Sequence, residues 1–87
     1  MIDKERQHRL RAFFKVKIPT LLPYPRRTRE LYALMQEAYP EHCDDTIMHE
    51  CNSATTCREW RHMLRRAQQD LQNEGVILLE AGRWRLL

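Results

Sequence analysis

The stretch that most constrains the fold runs from Thr56 to Leu87, where a long helical pattern passes through one glycine into a short alternating pair of strands. Thr56 and Glu59 have capping-box spacing, in which each side chain satisfies the other residue's free backbone N–H, so a helix is predicted to start near Thr56. Gly75 stands where a left-handed residue would close that helix. At about 100° per residue, Cys57, Trp60, Leu64, Ala67 and Leu71 share one side, with Met63 at its edge, and this is the predicted core face. Val76 to Leu79 reads as a buried strand and Glu80-Ala81-Gly82 as a turn. In the last strand Trp84 and Leu86 then face one way, Arg83 and Arg85 the other.

The helix side opposite the core stripe carries Arg58, His62, Arg65 and Gln69, with Arg61 and Arg66 on its margins. Glu59, Asp70 and Glu74 collect on a separate flank, where Asp70 is one turn from Arg66 and is expected to pair with it.

Upstream, residues 2–13 have helix-forming composition with a thin apolar stripe of Ile2, Leu10 and Phe13. Phe14, Val16 and Ile18 alternate with Lys15 and Lys17, the pattern of a half-buried strand or extended arm. Prolines 19, 23 and 25 interrupt regular structure. Pro25 suits the first turn of a second helix that places Leu31, Leu34, Met35 and Ala38 on one face and ends at Pro40. Asp44 and Asp45 are candidate N-caps for a short helix over Thr46 to Cys51.

Helices followed by a terminal helix and hairpin predict an α+β, mainly helical fold, a winged helix-turn-helix with a C-terminal β-hairpin wing. Residues 1–24 form a basic N-terminal helix or extended arm. Residues 25–87 form the winged-helix domain, with a recognition helix over about 56–74 and the wing over 76–87. In that arrangement the 46–51 helix supports the recognition helix.

The net charge of +3 is too small to imply nucleic acid by itself, but twelve of the fifteen cations are arginine, the side chain suited to bidentate contacts with phosphate and guanine. Arg58, Arg61, His62, Arg65 and Gln69 are therefore candidate DNA contacts in the major groove, and Arg83 and Arg85, with Arg66 as a neighbour, candidates for the sugar-phosphate backbone or a minor groove. The competing explanations are a solvated arginine-rich helix face and an edge strand charged against association. Arg26, Arg27 and Arg29 form a separate basic cluster. Trp60 and Trp84 read as core pillars joining helix to wing rather than base-stacking platforms.

His42, Cys43, His49, Cys51 and Cys57 are close enough in sequence to suggest zinc, but they lack a C-x-x-C knuckle, so no metal and no cofactor is expected. Three cysteines in irregular spacing do not describe a disulfide framework. No phosphate loop or hydrolase motif is present, so no catalysis is expected. The N-terminus lacks a secretory apolar core and no run is long enough to span a membrane, which makes the cytoplasm the expected location.

With Trp60, Arg65, Arg66, Ala67, Leu71, Gly75 and Ile77, then Gly82, Trp84 and Leu86, the C-terminal third resembles the winged-helix modules at the N-terminus of Mrr-like restriction proteins and beside HNH-type nucleases. The resemblance implies a double-stranded DNA-targeting role serving a nuclease carried on another polypeptide or elsewhere in a longer one. A small transcriptional regulator, acting as a homodimer on an operator, is the natural variant. The alternative is a protein-protein interaction module on the same scaffold.

Overall fold

A computed structural model describes residues 3–50 and 56–87. Asp3 starts the first helix, α1 (Lys4–Lys17), by accepting a hydrogen bond from the Arg6 backbone N–H at 2.9 Å. The extended arm predicted for residues 14–18 is not formed. The alternation competes with a helical repeat, Leu10, Phe14 and Ile18 at every fourth position, and burial favours the repeat. Phe14 and Ile18 are wholly buried, while Val16, which a strand would have put beside them, is 66% exposed. A single tight turn over Ile18–Leu21 then carries Leu22 into the same core.

Past Pro25, Arg26 exchanges two backbone hydrogen bonds with Trp84, at 2.9 and 2.7 Å. The second helix, α2 (Thr28–Ala38), starts after this pairing and leaves Pro25 outside its first turn. The Glu30 carboxylate accepts from the Arg27 N–H at 3.0 Å, giving the helix its start. Leu31 and Met35 are buried, whereas Ala38, predicted on the same face, is exposed.

The supporting helix predicted over residues 46–51 is replaced by a strand. The Asp44 carboxylate accepts from both the N–H and the hydroxyl of Thr46, a local turn that competes with helix initiation. The chain then enters β1 (Met48–Glu50), antiparallel to β2 (Thr56–Arg58), with Met48 opposite Arg58 and His49 opposite Cys57. Cys51, the end of the predicted helix, lies outside the described residues.

The capping box does not form either. Thr56 belongs to β2, and the third helix, α3 (Glu59–Asn73), begins with Glu59 itself, whose N–H donates to the Ile47 carbonyl at 2.9 Å. Strand pairing and this bond satisfy backbone groups that the box would have served. Cys57 is thereby removed from the helical core stripe. It is disulfide-bonded while Cys43 is a buried free thiol, a pairing that sequence spacing did not reveal.

The remainder of the stripe is buried as predicted: Trp60, Met63, Leu64, Ala67 and Leu71, joined by Gln68. Gly75, at φ +76°, closes α3. Its N–H donates to the Gln72 carbonyl and that of Val76 to Leu71, a Schellman closure. The hairpin pairs β3 (Ile77–Glu80) with β4 (Arg83–Leu86) through Ala81 and Gly82, both at positive φ. Its packed side is narrower than predicted. Ile77 and Trp84 are buried, but Val76, Leu79 and Leu86 remain 37%, 44% and 42% exposed. Trp84 is fixed by its indole N–H, which donates to the Thr28 hydroxyl at 2.9 Å. The result is a compact, mostly helical α+β fold with one core shared by all three helices and the hairpin.

Candidate nucleic-acid interface

The charge distribution on α3 follows from what α1 takes from it. The two helices pack side by side, and a ladder of ion pairs joins them: Arg6 to Glu59 at 2.7 Å, Arg11 to Asp70 at 2.6 Å and Lys15 to Glu74 at 2.5 Å. Asp70 therefore does not pair with Arg66. Arg11 reaches it with two guanidinium nitrogens, a geometry that a single-sided contact along the helix does not match. Hydrogen bonding from Arg11 holds the Asp70 carboxyl below the usual carboxylate range. Glu59 is buried, which pushes its carboxyl up, but hydrogen bonds from Arg6 and Gln7 outweigh burial and keep it low.

Both acids of α3, Glu59 and Asp70, and Glu74 at its C-cap thus face α1, and the opposite side is left to cations. Arg65 and Arg66 are exposed, and neither has a carboxylate partner among the described residues. Arg65 donates to the Cys57 sulfur at 3.7 Å, and Arg66 donates to the His62 ring at 3.3 Å. Gln69 is exposed one turn further on, its amide donating to Gln72 and Asn73 within the helix. His62, Arg65, Arg66 and Gln69 line one shallow cleft.

Arg58 and Arg61 sit at the other end of this face, beside β2. They share a second cleft with Arg65, Tyr32 and Met48. Arg58 reaches Asp45 at 3.4 Å, an exposed pair of small energetic weight. Arg61 is half-buried. Its guanidinium lies 5.0 Å from the Tyr32 ring centre and 5.4 Å from that of Trp60, and its Nε is buried without a hydrogen-bond acceptor among the described residues. Burial raises the Tyr32 phenol above its ordinary range, partly opposed by Arg65 and Arg61.

His62 is stacked on His49 of β1 with ring centres 4.1 Å apart. Partial burial, then the charges of His49, Arg66 and Arg65, lower its pKa to about 4, so near neutrality the ring is uncharged and accepts from Arg66. On the hairpin, Arg85 is engaged by Glu80 at 3.4 Å and by the Leu86 carbonyl, whereas Arg83 is exposed with no carboxylate partner among the described residues. Neither hairpin arginine lines either of the two clefts that hold these α3 cations.

Sequence reasoning singled out the α3 cations but not Tyr32 or His49, which join them from α2 and β1. Tyr32 follows Leu31 on the apolar side of α2, a position that signals packing and nothing more specific. His49 fell in a segment read as helix, so its register opposite Cys57 was hidden. Among the described residues no group of His, Cys, Asp and Glu is arranged to hold a metal, and no helix is long and apolar enough to cross a membrane. No protein-family model, curated protein or solved structure matches the chain.

Proposed function

We propose that this chain is a non-catalytic, double-stranded-DNA-binding module of winged-helix type, either the targeting part of a restriction-type system or a small transcriptional regulator. One observation carries the reading: the acids of α3 are turned to α1, leaving Arg65, Arg66 and Gln69 together on an exposed, one-signed face. The element order is compatible with the fold, since Arg26, between α1 and α2, pairs with the last strand of a hairpin that follows α3. In this reading α3 enters the major groove. Arg65 and Arg66 reach phosphates or guanine edges, and Gln69 exchanges its intrahelical hydrogen bonds for an adenine edge. Arg58 and Arg85 exchange weak exposed ion pairs for phosphates, and Arg83 is already unencumbered. Arg61, held by Tyr32 and Trp60, orients the start of the helix instead of reaching a base.

Fluorescence anisotropy on labelled duplex, single strand and RNA over a salt series tests this. Duplex affinity that falls steeply with salt supports the reading. Absence of duplex binding at low salt overturns it.

A second reading, a protein-interaction module or homodimer, draws on the hairpin. Leu79 and Leu86 lie on the same side as buried Ile77 and Trp84 yet remain exposed beside Val76 and Leu87. An apolar edge of this kind suits contact with another polypeptide.

A further inference from the structure

We propose that Lys4 and His8 of α1, with His49, His62 and Arg66, form a phosphate-binding cleft that carries the DNA backbone from the α3 face onto the first turns of α1. This rests on the DNA-binding reading and extends it to residues outside α3 and the hairpin.

The cleft lies between α1, β1 and α3 and has a volume of about 340 Å³. Lys4, His8, Arg11, His49, His62 and Arg66 supply its basic groups beside Gln7, and no carboxylate among the described residues lines it. Among these groups Arg11 alone is neutralised, by Asp70. Lys4 and His8 are exposed, and neither pairs with a carboxylate among the described residues. The larger cleft beside Phe13 and Trp60 contrasts with it, since Glu41, Asp44 and Glu59 all line that one.

Continuity with the α3 face is the second argument. His62 and Arg66 line both this cleft and the shallow one that holds Arg65 and Gln69, so the two form a single basic track. Lys4 and His8 are one turn apart on α1, and they extend the track on the side where α1 packs against α3. A phosphate is the anion that fits a cleft offering an ammonium, a guanidinium and imidazole N–H groups together.

The stacked imidazoles add a signature. His62 meets His49 from β1, Lys4, His8 and Arg11 from α1, and Arg65 and Arg66 from its own helix, with Glu59 behind Gln7. Partial burial first, and then the charges of His49, Arg66 and Arg65, make His62 resist protonation, and a phosphate seated among those cations offsets the charge part of that balance. DNA binding then takes up a proton at His62, so affinity rises as the pH is lowered toward the free-state value of about 4.

The test compares the full chain with a Lys4→Ala, His8→Ala double variant and an Arg65→Ala variant, by anisotropy on a short labelled duplex and by NMR of the imidazole protons. Both α1 residues are exposed, so circular dichroism should show the variant folded. The expected result is duplex binding weakened about fivefold in the double variant, with the salt slope reduced by about one. Duplex should also raise the titration midpoint of His62. If Arg65→Ala weakens binding while the double variant matches the parent chain, the cleft is overturned and the α3 reading stands. If the parent chain binds no duplex, both fall. If inorganic phosphate shifts the His62 ring but duplex does not, the site takes free anions and the DNA path is wrong.

Discussion

Arg11 on α1 holds Asp70 on α3 through two guanidinium nitrogens at 2.6 Å, joining residues 59 positions apart in the chain. The pair is partly exposed, at 36% and 19% of the two side chains, so its contribution is that of a well-formed but screened ion pair. Arg11→Ala is expected to cost about 1–2 kcal/mol, read as a lower urea midpoint at unchanged m-value. A double-mutant cycle with Asp70→Asn should return most of that as coupling. A coupling near zero would mean that the pair orders the interface without stabilising it.

The same substitution has a functional consequence under the DNA-binding reading. Arg66 already contributes to the low pKa of Asp70, so a carboxylate released from Arg11 has a second cation within its field. Arg11→Ala should therefore weaken duplex binding although Arg11 touches no DNA, and Asp70→Asn in the same background should restore it. Failure of the second change to restore affinity would argue that Arg11 contacts DNA directly.

On α3, Arg65→Ala is expected to weaken duplex binding about tenfold near physiological salt and to lower the salt slope by about one. Arg61→Ala should behave differently. Its guanidinium sits over Tyr32 and Trp60, so the loss should appear mainly as reduced thermal stability, with the salt slope unchanged. A full unit of slope lost with Arg61 would move it into the phosphate-contacting set.

His62 makes stability depend on pH in a defined window. Its folded pKa is depressed to about 4 from an ordinary 6.5, so between these values the unfolded chain binds the extra proton and the fold loses stability as pH falls. Above 6.5 both states are neutral at this site and the effect vanishes. Urea midpoints taken from pH 7 to pH 4 should drop less steeply in His62→Gln than in the parent chain. The carboxylates held low by ion pairs, Glu59 and Asp70, lose their contribution from their ordinary values of 4.5 and 3.8 downward, so they overlap only the acid end of that window and are unaffected by the substitution.

The hairpin turn offers a gain. Ala81 adopts φ +52° beside Gly82 at +76°, a conformation that costs alanine about 1 kcal/mol and that asparagine tolerates. Ala81→Asn creates the preferred Asn-Gly pair and should stabilise the chain by about 0.5–1 kcal/mol, seen as a higher urea midpoint. An unchanged or lower midpoint would show that this turn is not limiting.

What could be read from the sequence was local. The stripe Trp60, Leu64, Ala67 and Leu71, the closure at Gly75 and the turn at Gly82 each depend on neighbours within a few positions, and the structure keeps all three. The segment before α3 departs from its local signal because strand pairing between β1 and β2 overrides the capping spacing of Thr56 and Glu59. Phe14 to Ile18 satisfied two periodicities at once, and burial against α3 selected the helical one. At the candidate site the α3 cations were legible as a face. Their isolation from Glu59, Asp70 and Glu74 was not, because it depends on Arg6, Arg11 and Lys15 arriving from a distant segment.

The backbone pairing of Arg26 with Trp84, reinforced by Thr28 and the Trp84 indole, also bears on how the chain acquires its structure. Its partners lie in early and late segments, as do those of the α1 to α3 ladder, so little of the core can assemble before α3 is available, and Ile77 and Trp84 complete it afterwards. The entropy of closing such long loops is lost before the contacts can compensate for it. Folding should proceed as one late, concerted collapse, without a stable N-terminal intermediate. During synthesis the buried faces of α1 and α2 would stay solvent-exposed until α3 has left the ribosome, a window in which the chain depends on its own charge to remain dispersed.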